Sequence, residues 1–284
     1  MNQSRRAAEM SIFGPEWSAS RRGSIASVQA NLPVHLIATA REEFQTCLLD
    51  DPIGAVVEGN RVARFDYLPV VSPDETHAAP IVGLLHIVPF MTGAVPDRCV
   101  ADVCDRLSDR NLIGADASLL DFVRSADTQG CRLIVSGPEI RGLVSLSDLQ
   151  QLPVRAALFA LITHLEMTMT EAIGRLYSGP DEWMGCLSPG RVEKLRGEIE
   201  KSTGGDGFIE ALLMTQFCDK RDLIAKKLPS SEAADFIRAM KRIEILRNAL
   251  AHANEYAATR KTALEVCCVV RTADSLAGRL DQLG

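Results

Sequence analysis

Gly142-Leu143-Val144-Ser145-Leu146-Ser147-Asp148 reads as the end of a buried strand that runs into a hydroxyl residue, with a carboxylate three positions on. A related stretch stands earlier as Gly83-Leu84-Leu85-His86-Ile87-Val88-Pro89, with Gly83 in the place of Gly142. Working outward from the two glycines, each stretch closes a unit of one short helix and two strands. The first unit runs Pro52-Ile53-Gly54-Ala55-Val56-Val57 as helix, Tyr67-Leu68-Pro69-Val70-Val71 as strand, and Ile81-Val82-Gly83-Leu84-Leu85 as strand. The second runs Ser118-Leu119-Leu120-Asp121-Phe122-Val123, Arg132-Leu133-Ile134-Val135 and Ile140-Arg141-Gly142-Leu143-Val144. The interval from Val71 to Gly83 is longer than that from Val135 to Gly142, and the excess of the first hairpin is placed at 72–77. Extra length at a hairpin tip is thermodynamically mild. Repetition of one helix and one hairpin per unit predicts a supersecondary module that pairs with its own copy.

The two units resemble a tandem pair of CBS domains over roughly residues 35–150. The resemblance implies a cleft between paired units that accepts adenine nucleotides or related adenosyl ligands. It places Ser145 and Asp148 on the ribose, with Ile113 and Gly114 lining the base. The chemistry suits those residue types: a carboxylate accepts hydrogen bonds from ribose hydroxyls, and a hydroxyl at a helix start holds phosphate or ribose. A Ser three residues before an Asp is equally an ordinary helix-capping arrangement. The first unit has His86-Ile87-Val88-Pro89 where the second has Ser145-Leu146-Ser147-Asp148, hence no carboxylate. At most one of the two clefts should bind a ribose.

Beyond Leu152 the strand pattern stops. Apolar residues at helical spacing (Leu158, Leu161, Ile162, Leu165, Met169, Ile173, Leu176) predict one long amphipathic helix over 152–177. Further helices are predicted over 190–202, 207–228, 232–257 and 260–282, separated by Gly179-Pro180 and Gly204-Gly205. The fold class expected is α+β: an α/β repeat pair followed by an all-α bundle. The expected divisions are a flexible arm over 1–30, the repeat module over 31–150 and the bundle over 151–284.

The predicted fourth helix holds Arg247-Asn248-Ala249-Leu250-Ala251-His252. An Arg, a polar residue, three more residues and a His, late in a long helix, resembles the ribonuclease signature of HEPN domains. Four-residue spacing puts Asn248 and His252 on one face, whereas Arg247 lies about 140° round the helix from His252. The resemblance implies a homodimer with a composite site and metal-free RNA cleavage. A histidine that titrates near neutrality takes the proton from a ribose 2′-hydroxyl. Arg247 would neutralise charge on the phosphate, and Asn248 would orient His252 or a phosphate oxygen. No cofactor is expected for catalysis. Glu166, near His164, is a further candidate for that site, although a carboxylate on a polar helix face requires no such role. The alternative is a non-catalytic adenosyl sensor or adaptor dimer whose bundle is an interface.

Composition narrows the classes. At 46% hydrophobic and 24% charged, the 284 residues bury a real core and are not wholly disordered. Residues 1–150 carry 13 Arg against 19 acidic residues, while 151–284 carry 18 basic against 18 acidic. Neither half is basic enough to indicate nucleic-acid binding from charge alone. All seven lysines lie beyond residue 190, a shift consistent with two modules. No two of the eight cysteines are spaced Cys-x-x-Cys, so no metal site is expected and the thiols read as core residues. Cys267-Cys268 reads as helix packing. The apolar stretches, interrupted by His, Arg or Glu, are not expected to make a roughly 20-residue membrane span. The N-terminal segment holds Arg5, Arg6, Arg21 and Arg22 without an apolar run, so a cytoplasmic location is expected.

Overall fold

The computed structural model describes residues 25–72, 80–92, 97–203 and 211–283. Most of the expected arm, including Phe13 and Trp17, the tip of the first hairpin and the Gly204-Gly205 break lie outside them. Two compact units are formed. The α/β unit comprises Pro33–Leu158 with Arg242–Thr272, and the helical unit comprises 25–32, Phe159–Lys241 and 273–283.

The α/β unit holds two four-stranded sheets. In chain order the strands are β1 (Thr39–Ala40), β2 (Cys47–Leu48), β3 (Tyr67–Val71), β4 (Ile81–His86), β5 (Asp105–Arg106), β6 (Leu112–Gly114), β7 (Cys131–Ser136) and β8 (Glu139–Ser145). One sheet has the order β2-β3-β4-β5 and the other β1-β8-β7-β6. Each repeat therefore lends its leading strand to the sheet of the other. β1 pairs antiparallel with β8, Ala40 opposite Gly142, and β5 pairs antiparallel with β4, Arg106 opposite Gly83. The repeated glycine follows from this exchange. A Cβ at Gly142 would stand 2.7 Å from the Thr39 carbonyl oxygen, and one at Gly83 would stand 2.8 Å from that of Asp105. No side chain fits against a backbone held that close.

Both hairpins also carry the same irregularity, between Val70 and Val71 and between Ile134 and Val135. The helices Ile53–Gly59 and Leu119–Ser125 occupy equivalent places. β3 and β4 are apolar on both faces because both are covered. Leu68, Val70, Leu85 and Ile87 pack with Ile53 and Val57, whereas Val71, Ile81 and Leu84 pack with Leu133 and Leu143 of the other repeat.

In the helical unit the sequence expectations hold in outline and fail at ends. The predicted helix over 207–228 is, within the described residues, a 3-10 turn at Ala211–Met214 followed by a helix over Phe217–Lys227. Asp219 stops the two from merging, since its Oδ2 accepts the Gln216 backbone N–H (2.8 Å) and caps a new start. A short helix at Pro180–Met184 follows Gly179, where only a break was expected. The helix Leu152–Leu176 spans 25 residues and is apolar enough to cross a membrane by length and composition, unlike the sequence expectation. Helical continuity through Arg155, His164 and Glu166 is the reason. Some 56% of its apolar window is buried inside the protein.

Glu166 of this helix accepts a hydrogen bond from Lys220 Nζ (3.1 Å), which also donates to the Thr215 carbonyl (2.7 Å). Lys220 is 2% exposed, so the pair compensates a buried charge.

Candidate functional site

A cleft of about 220 Å3 opens where the repeats exchange strands. Thr39 of β1 and Phe44 line one side, Leu143, Ser145 and Ser147 another, and Arg64, Phe65, Asp66 and Tyr67 a third. The exchange is what brings these distant segments together. β1 must lie on β8 for Thr39 to stand beside Leu143, its partner in the ladder.

The capping arrangement expected as the plainer reading of Ser145 and Asp148 is present. Asp148 Oδ2 accepts from the Ser145 backbone N–H (2.6 Å) and from Ser145 Oγ (3.1 Å), and Oδ1 accepts from Gln151 Nε2 (3.0 Å). Ser145 Oγ also meets Ser147 Oγ at 2.7 Å. Burial pushes the Asp148 carboxyl above the ordinary carboxylate range, against these hydrogen bonds, which pull it down. Ser145 thus faces the cleft, and Asp148 braces it from behind.

Ile113 and Gly114 are not brought to the same place. On β7 they stand beside Ile134 and Val135, whereas Ser145 stands beside Cys131. Three to four residues along a strand separate them, about 10–13 Å. The next residues, Ala115 and Asp116, line a different hollow with His35 and Arg141. Local sequence pattern carried no signal for Thr39, Phe44 or Arg64, because their place in the cleft depends on which sheet each leading strand joins.

At the equivalent place in the first repeat stands His86. His86 pairs with Tyr67 across the hairpin and stacks on it, ring centroids 4.6 Å apart and planes 17° from parallel. The His86 Nε2 is buried without a hydrogen-bond partner. Burial, and then the nearby Arg260 cation, hold the imidazole below its ordinary pKa. Burial raises the Tyr67 pKa, and the cation of Arg260, first residue of the helix Arg260–Asp281, opposes that rise. Tyr67 therefore borders the cleft and stacks on His86.

Arg247, Asn248 and His252 lie at the end of the helix Ser230–Ala251. The expected helix over 232–257 stops earlier, at Ala251, and His252 is one residue past it. Ala253 takes a left-handed conformation (φ 53°), and the Asn254 N–H closes back on the Ala249 carbonyl (3.0 Å), ending the helix as a glycine would. Arg247 Nη1 approaches Asn248 Oδ1 at 3.4 Å, and the His252 backbone N–H donates to the Asn248 carbonyl at 3.1 Å. The Asn248 and His252 side chains are exposed.

Long contacts fix this helix end on the second repeat. Arg155 donates to the carbonyls of Leu250 (3.0 Å), Ala249 (3.3 Å) and Asn254 (2.7 Å), and its guanidinium lies 4.9 Å over the Tyr256 ring. The Tyr256 hydroxyl donates to the Leu149 carbonyl. Arg271 grips Asp127 with two bonds (2.9 and 2.6 Å), which hold that carboxyl below its usual range.

Three of the eight thiols, Cys47, Cys131 and Cys267, are buried as expected of core residues, whereas Cys99 is exposed and the other four are half-buried. Burial pushes Cys47 up to about 12 and Cys267 up to about 11, and Cys267 donates to the Ala263 carbonyl one turn back (3.3 Å). All eight are free, and among the described residues no three His, Cys, Asp or Glu side chains gather as metal ligands would.

No family model and no curated protein matches the chain. Solved structures do. The similar structures are CBS domains, over the N-terminal half of the chain. The CBS domain of a bacterial CNNM/CorC family Mg2+ transporter in complex with ATP shows 18% identity, covering 49% of this chain and 96% of its own, at a TM-score of 0.38. CBSX2 in complex with AMP shows 15% identity over 44% of this chain and 96% of its own, at 0.36. The CBS domains of a transcriptional regulator from Streptococcus pneumoniae show 16% identity over 41% and 95%, at 0.32.

Proposed function

We propose that the paired repeats sense an adenosyl ligand in the cleft between them and pass its occupancy to the helices packed on the same unit. The lining of the cleft carries this reading. Aromatic rings from Phe44, Phe65 and Tyr67 suit a base, hydroxyls from Thr39, Ser145 and Ser147 suit a ribose, and Arg64 suits a charged 5′ end. A volume of about 220 Å3 lies just below the usual range for small-molecule sites, so a nucleotide would keep part of itself in solvent. Tyr67 supports the output, since its side chain borders the cleft and its hydroxyl lies within the field of Arg260, first residue of the helix Arg260–Asp281. Isothermal titration with ATP and AMP tests it: binding should be measurable for the intact protein and weakened by Ser145→Ala. Absence of binding by any adenosyl compound would sink the reading.

The output is proposed as metal-independent RNA cleavage by a homodimer. The exposure of Asn248 and His252 beyond a firmly capped helix end favours it, because a general base must meet substrate. His252 is the base, Arg247 the phosphate-neutralising group and Asn248 the orienting residue. Cleavage of a mixed RNA pool should persist in EDTA and vanish in His252→Ala. Mixed Arg247→Ala and His252→Ala chains should regain activity if the centre is shared between two copies. The equality of charge over 151–284 favours instead an adaptor that dimerises without cleaving, since RNA affinity rests largely on phosphate contacts. Persistence of cleavage in His252→Ala, or dependence on added metal, would overturn this mechanism, and a dimer that cleaves no RNA would be that adaptor.

A further inference from the structure

Adenosyl ligands differ most at the 5′ end. Adenosine is neutral there, AMP and ATP are anionic, and sulfonium adenosyl compounds are cationic. We propose that Arg64 selects the anionic class, its guanidinium taking the phosphate of an adenine nucleotide at the mouth of the cleft; this rests on the adenosyl reading above.

Arg64 is held in a conformation that its residue type disfavours. Its φ is +53°, one of two positive values at non-glycine positions among the described residues. The enforcing residue is Asn60, 1% exposed. Its carbonyl accepts the Arg64 N–H (2.8 Å), its side-chain Nδ2 donates to the Phe65 carbonyl (2.8 Å), and its Oδ1 accepts the Phe65 N–H (3.0 Å). The bracket fixes the backbone on both sides of Arg64 and so aims the residue at the cleft.

Glycine would adopt this φ without strain, so an arginine here runs against the local rule. Strain of this kind, kept in place by a buried bracket, concentrates where a side chain has work to do. The Arg64 side chain is exposed and, among the described residues, forms no ion pair or side-chain hydrogen bond. It lines the cleft together with Ser145 and Ser147. An unpaired guanidinium matches the bidentate geometry of phosphate. Asp66 is on the same wall, two residues from Arg64. It lies on the base and ribose side in this assignment.

Arg64→Gly separates function from fold, because it removes the guanidinium while relaxing the backbone. Titrate the full chain and this variant with adenosine, AMP, ATP and S-adenosylmethionine, and record thermal midpoints. The unmodified protein should bind AMP or ATP about 10- to 100-fold more tightly than adenosine, as expected for charged hydrogen bonds. Arg64→Gly should bring AMP to the level of adenosine, leave adenosine unchanged, and raise the midpoint by about 2–4 °C. Equal affinity of the unmodified protein for adenosine and AMP, or preference for S-adenosylmethionine, would overturn the selection while leaving the adenosyl cleft standing. An equal loss for adenosine and AMP in Arg64→Gly would also overturn it, assigning Arg64 to cleft shape. No binding of any of the four would overturn both.

Discussion

The turns that end the two hairpins stand at equivalent positions and do different chemistry. After β8, Ser145, Ser147 and Asp148 make a polar, capped turn beside an open cleft. After β4, His86 stacks on Tyr67 and the Val88–Phe90 turn has no side-chain cap. The backbone is nearly symmetric because the exchanged strands demand it, glycine for glycine. The side chains are not, because nothing in that exchange dictates what stands three residues further on. The two frames match, and the polar side chains stand in one of them.

The largest effect should come from breaking the shared frame. Gly142→Val and Gly83→Val each drive a side chain into a backbone oxygen less than 3 Å away, at Thr39 and Asp105 respectively. Each should cost about 2–3 kcal/mol or more in chemical denaturation, and by similar amounts. A large loss at only one of them would show that the exchange is not equally important to both sheets.

Next comes the difference between the turns. Asp148→Ala should weaken adenine-nucleotide binding by about 1.5–3 kcal/mol, since Ser145 loses its brace along with the carboxylate. His86→Ala should weaken binding far less, acting only through the ring of Tyr67. Calorimetric titration of both variants decides it, and equal losses would erase the distinction between the clefts. Ser145→Ala removes one hydroxyl and should cost about 1 kcal/mol of stability through the cap.

The smallest effect is in pH. Burial lowers the His86 pKa, the Arg260 cation adding to this and Asp66 and Asp105 opposing it. Below the ordinary histidine value of about 6.5 the unfolded chain takes up a proton that the folded protein refuses. The contribution of His86 is therefore complete above about 6.5 and declines as pH falls toward the lower folded value. His86→Phe keeps a ring on Tyr67 and should flatten that part of the stability profile. An unchanged slope would mean that the imidazole is not shielded.

The repeat was legible because both of its signals are local. Apolar runs, turn residues and a glycine recurring at the same place in each unit put helix, strand and strand close to the observed bounds of β3, β4, β7 and β8. The long helices were legible from their spacing, but their ends were not. Asp219 starts a helix through its cap, and Ala253 ends one in a conformation that alanine alone would not suggest. The cleft was half legible. Ser145 and Asp148 announce themselves by spacing, yet the same spacing serves a cap, and here Asp148 does that work.

What sequence by itself determined is each unit's local conformation, because periodicity and turn chemistry act over a few residues. Only the tertiary structure decided which residues meet. β1 and β5 are two residues long and carry no pattern, so nothing local says that each crosses to the other sheet. Yet that crossing puts Thr39 and Phe44 in the same cleft as Ser145, while register along β7 separates Ile113 and Gly114 from it. Likewise Arg155 caps a helix 94 residues away, a contact set by packing rather than by spacing.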